Sequence, residues 1–163
     1  MTRYQALPER AKFDAKTSTE LLAMLNQSLA DTLDLAYQTK QAHWNVKGYN
    51  FYGLRLLFDH LHGQLAGYVD DFAERAVTIG GEALGTIRMA ASTSRLDEFP
   101  LGATDSKVYV KALVQRYGAY TSWARQGIRK AEMLRDQDTA DLYTTVTRVI
   151  DKALLTLTAH LEA

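Results

Sequence analysis

The sequence predicts an all-α protein: four long helices in one bundle, with a long connection between the second and third that carries a short helix. Three observations lead there. Only two prolines occur in 163 residues, Pro8 and Pro100, so little interrupts helix formation. Apolar residues recur three and four apart over long segments, the spacing that lays one stripe along a helix. The turn signals divide the chain unevenly, leaving one connection much longer than the others.

The first helix is expected to open at Thr17-Ser18-Thr19-Glu20, which reads as a capping box. Its stripe runs through Leu21, Leu25, Leu29, Leu33 and Tyr37 to about Trp44, behind a short tail of residues 1–16. Gly48 and Asn50 mark the turn into a second helix from about Phe51 to Ile79, which Gly80-Gly81 stops. Ser92-Thr93-Ser94 and Pro100-Leu101-Gly102 supply loop chemistry in the crossover from Gly80 to about Thr104, around one short helix. The third helix spans about Ser106 to Leu134. The fourth runs to about Leu161 from Asp138, read as its N-cap with Asp141 three residues on. The short link between these two makes them antiparallel neighbours. Four helices with one long central crossover form the ferritin-like arrangement, here a single domain over 1–163.

Nineteen basic and nineteen acidic side chains cancel, so no global field draws the chain to nucleic acid or an anionic membrane. The absence of cysteine removes thiolate ligands and disulfides and fits a reducing compartment. Met1-Thr2-Arg3-Tyr4-Gln5 lacks the apolar core of a signal peptide, and no stretch approaches the ~20 apolar residues of a membrane span. The cytoplasm is the expected location.

The second helix carries the chemistry. Asp59 and Asp70 are about three turns apart at ~3.6 residues per turn, Glu74 lies one turn further, and all three share a face. Aligned acids on a largely apolar helix are costly unless a cation neutralises them, which points to a metal. Yet at ~1.5 Å per residue Asp59 and Asp70 stand roughly 16 Å apart, too far to share one. Two antiparallel copies about a twofold axis remove the difficulty. The midpoint of 59 and 70, between Gln64 and Leu65, is also that of 55 and 74, so a dyad there sets Asp59 beside the partner's Asp70. Gly63, Ala66 and Gly67 flank that midpoint and let two backbones approach closely.

His43-Trp44-Asn45-Val46-Lys47-Gly48, the acids ending in Ala73-Glu74-Arg75, the Gly80-Gly81 stop and Asp138-Thr139-Ala140-Asp141 together resemble the Dps family. These are the mini-ferritins, or DNA-binding proteins from starved cells, and the resemblance covers about residues 17 to 160. It implies a hollow dodecamer of four-helix bundles that oxidises Fe(II), preferentially with hydrogen peroxide, and stores ferric mineral. The ferroxidase sites would lie at twofold interfaces, and the shell would protect DNA in the cytoplasm, with nucleoid association. Carried over by position, the resemblance makes His43 a ligand from one subunit, Asp59 a support for the second metal position, and Asp70 and Glu74 ligands from the partner. Carboxylate and imidazole donors suit Fe(II), with zinc as an alternative occupant. Trp44 has two readings, a donor for stray oxidising equivalents or plain packing. Asp138 and Asp141 are pore candidates, although acids at a helix N-terminus also stabilise the helix itself.

One departure matters. The family usually has a second histidine twelve residues after the first, and this chain has Arg55, which is always protonated and cannot ligate metal. By the dyad arithmetic Arg55 faces the partner's Glu74, where an ion pair would compete with iron. His62 lies about 60° around the helix from Asp59; it is read either as a polar interface residue or as recruiting a shifted metal, and His60 is more peripheral. No second acid-x-x-His motif exists to build a site inside one bundle. DNA binding by the shell is the competing function. Its support is thin, since the N-terminal region offers only Arg3, Arg10, Lys12 and Lys16 in place of a lysine-rich extension.

Overall fold

The computed structural model describes residues 13–162. The helices are α1 (Ala15–Asn45), α2 (Phe51–Thr78), α3 (Ile87–Thr93), α4 (Ser106–Met133) and α5 (Gln137–Ala159), with no strand among the described residues. Helix α1 pairs with α2 and α4 with α5, and the two hairpins close on one core while α3 lies along α1.

Two helix starts differ from expectation. Asp14 caps α1, accepting from the Thr17 amide at 2.8 Å and its hydroxyl at 3.1 Å, so Thr17 is the recipient of a cap and the predicted capping box sits inside the first turn. Asp136, not Asp138, caps α5, accepting from the Thr139 amide at 3.1 Å. In both places an acid three residues upstream reaches the free amide first. The end of α2 is as predicted: Gly80 takes φ +94°, and the amides of Gly80 and Gly81 return to the carbonyls of Val77 and Ala76, a Schellman ending. Helix α4 ends the same way with Arg135 at φ 60°.

Hydroxyl pairs fix α1 against the second hairpin. Ser28 meets Tyr143 at 2.6 Å, Thr32 meets Tyr120 at 2.7 Å and Thr39 meets Tyr117 at 3.1 Å, all three phenols buried. The crossover is strapped to the same helix: buried Asp31 accepts from the Arg95 amide and guanidinium at 2.6–3.0 Å, and that guanidinium lies 4.1 Å from the Trp123 ring centroid. Among the described residues no buried side-chain nitrogen or oxygen lacks a hydrogen-bond partner, as a packed core requires.

Candidate metal centre

Packing α1 antiparallel to α2 brings residues 43, 40 and 36 beside 55, 59 and 62. At the top of this seam, buried His43 has Nδ1 at 2.9 Å from the Arg55 carbonyl. A carbonyl only accepts, so Nδ1 bears the proton and Nε2 keeps its lone pair, the form a metal-binding imidazole needs. Arg55 answers with Nη1 donating to the His43 carbonyl at 3.2 Å, its guanidinium 5.8 Å from the Phe51 ring centroid.

One turn along, Lys40 Nζ donates to Asp59 Oδ1 at 2.5 Å, and His43 Nδ1 lies 3.9 Å from the same oxygen. The hydrogen bond from Lys40 is the main reason the Asp59 carboxyl sits below its ordinary pKa, with the charge of Lys40, and those of His43 and His62 whenever they are protonated, acting the same way against some desolvation. Next comes His62, whose Nδ1 donates to the Ala36 carbonyl at 2.9 Å and whose ring stands edge-on to Tyr37. Asp70 and Glu74 are exposed, and neither carboxylate has an ion-pair or hydrogen-bond partner among the described residues. No three metal-binding side chains converge among the described residues of one chain.

The face that carries these acids is open along its length. Tyr52, Leu56 and Val77 are exposed apolar side chains on it, and Gly63 and Gly67 have nothing within 4 Å of where a Cβ would stand. A glycine inside a helix costs about 1 kcal/mol relative to alanine, and no contact among the described residues calls for one at these two positions. Trp44, beside His43, is 57% exposed.

The pore candidates gain a cation. Arg75 contacts buried Asp136 at 2.7 Å and Asp138 at 3.5 Å, and donates through Nε to Thr139 at 2.9 Å. Asp138 remains exposed, and Asp141 accepts from Gln137 at 2.8 Å. Arg75 is therefore engaged with α5, which leaves Glu74 to its own devices. Arg3, Arg10 and Lys12 lie outside the described residues, and Lys16 stands in the first turn of α1.

Comparison with known proteins agrees with this frame. Residues 22–163 match the family model of the ferritin-like domain. The DNA protection during starvation protein of Agrobacterium fabrum is 38% identical over 156 residues, covering 96% of this chain and 93% of that protein. The chain belongs to the Dps family. Among other relatives, Deinococcus radiodurans DNA protection during starvation protein 2 is 32% identical over 98% of this chain and 65% of its own length. The solved structure of Mycobacterium smegmatis Dps superposes with TM-score 0.89 at 27% identity, covering 94% of this chain and 93% of that one.

For a Dps chain, two partners in this region escaped the sequence. Lys40 lies one helical turn before His43, and pairing 43 with 55 in the α1/α2 hairpin would have placed it on Asp59. The Arg75 to Asp136 pair spans 61 residues between different hairpins, and no local spacing announces it.

Proposed function

We propose that this Dps chain assembles into a homo-oligomeric shell, a dodecamer, that takes up Fe(II) at sites shared across twofold interfaces. There it oxidises iron with hydrogen peroxide and stores the ferric product, which protects DNA in the cytoplasm. One observation carries the reading: the metal-competent groups of α1 and α2 do not meet within a chain, yet they meet in register when α2 packs on a second α2 about the Gln64–Leu65 midpoint. That packing sets His43 and Asp59 beside Asp70 and Glu74 of the partner subunit. It also covers Tyr52, Leu56 and Val77, and gives Gly63 and Gly67 a reason to lack side chains.

Within this site His43 presents Nε2, while Asp70 and Glu74 offer carboxylates with no competing cation among the described residues of their own chain. Oxygen and imidazole donors suit Fe(II). The balanced reaction consumes two Fe(II), one hydrogen peroxide and two protons and yields two Fe(III) and two waters, so both peroxide oxygens leave as water and no hydroxyl radical is released. Two cations oppose loading. Lys40 must release Asp59 Oδ1, and Arg55 occupies the place of a second imidazole. Burying a metal beside fixed positive charge is unfavourable at any dielectric below that of water.

Stopped-flow Fe(II) oxidation by the assembled apo-protein tests this, with peroxide and oxygen supplied separately, for wild type and Arg55→His. Peroxide-dependent oxidation is expected in wild type, and faster in Arg55→His. If neither protein oxidises Fe(II) above the protein-free rate, the ferroxidase reading is wrong.

A further inference from the structure

We propose that His62 supplies the imidazole that Arg55 displaces, binding a second divalent metal together with Asp59 and Asp70 of the partner subunit, in a position shifted towards the twofold axis. The inference rests on the twofold site argued above and assigns it a further ligand.

His62 is prepared for ligation in the same way as His43. Its Nδ1 is held by a backbone carbonyl, that of Ala36, at 2.9 Å. The ring is steadied by its edge-on contact with Tyr37, at 5.9 Å between centroids. Nε2 therefore carries the lone pair, and it has no hydrogen-bond or carboxylate partner among the described residues. Anchoring one ring nitrogen fixes both tautomer and orientation for the other.

The neighbouring groups complete the set. Asp59 lies three residues before His62, the spacing at which two side chains of one helix face the same metal. Lys40 engages only Oδ1 of that carboxylate, which leaves Oδ2. Since 62 and 67 share the midpoint of 59 and 70, the dyad sets His62 against the partner's Gly67, where no Cβ would obstruct an imidazole. One turn from that glycine is Asp70 of the partner subunit, just as Asp59 is one turn from His62. The position also lies away from Arg55, seven residues and about 10 Å of helix rise distant, so the guanidinium charge that disfavours the expected second metal weighs less here.

Co(II) titration of the assembled apo-protein, followed by its visible absorption, tests the assignment with a readout independent of turnover. Wild type is expected to bind two Co(II) per subunit. His62→Gln should keep the first and bind the second at least about tenfold more weakly, the smallest loss expected for a ligand when even outer-shell changes cost that much. Adding Arg55→His to His62→Gln should restore the second event by returning an imidazole to the interface, which also shows that the variant still folds and assembles. Two wild-type binding events in His62→Gln overturn the role of His62; if His43→Gln then abolishes binding, the twofold site itself stands. A wild type that takes up no Co(II) removes both.

Discussion

At the scale of single residues the candidate site is shaped as much by the cations beside it as by the candidate ligands. His43 entered as a candidate through the family resemblance, and the shared face of Asp59, Asp70 and Glu74 on α2 was legible because helical spacing is a property of sequence. Lys40 was not, because its importance comes from the hairpin that lays α1 beside α2. Its effect has a definite sign. The Asp59 carboxyl titrates below its ordinary value chiefly because of the Lys40 hydrogen bond, so the pair contributes to stability at pH values above about 3.9, the ordinary carboxyl pKa. That contribution is lost as the pH falls through the lower folded-state value. Lys40→Gln is expected to move the Asp59 titration upward. An infrared pH titration of the carboxylate band, with Asp59→Asn subtracted to isolate this group, measures the shift, and an unmoved midpoint would contradict the assignment. Arg55 was legible as a departure, but its grip on the His43 carbonyl was not, since that contact needs the two residues side by side.

At the scale of elements, the four long helices, the short α3 and the glycine stop after α2 followed from apolar period and turn chemistry. The starts of α1 and α5 did not, because Asp14 and Asp136 compete with plausible caps two or three residues downstream, and only the path of the entering chain decides which acid reaches the free amides. Helix-to-helix fit was also hidden. Gly127 reads as an ordinary weak point in α4, yet a Cβ there would stand 2.6 Å from the Tyr143 ring, and that ring is held by Ser28 and by the Met24 carbonyl. Gly127→Ala should therefore cost about 1–2 kcal/mol net, the clash outweighing the gain in helix propensity. Denaturant unfolding at fixed subunit concentration checks it; a stabilised variant would show that the ring yields freely.

For the whole molecule, the open face of α2 is the feature from which the proposed assembly is argued. Gly67→Leu fills space that is empty in the single subunit, so helical circular dichroism should persist while light scattering after size exclusion shows a smaller assembly. Undiminished mass would argue against close α2 packing. The proposed dyad is a reading of register, since a self-complementary helix must read the same about its own midpoint, whereas the pairing of Arg75 with α5 depends on how the two hairpins close. That pairing bears on Glu74. Four residues from the end of a helix, a side chain ordinarily shares in the fraying of the last turn. Here the next residue is clamped to the opposite hairpin through Asp136 and Thr139, so the backbone beneath Glu74 is tied to α5 as well as to its own helix. The entropy of fixing that stretch of chain is spent when the subunit folds, so in the proposed site an arriving ion would find a carboxylate whose anchor is already held.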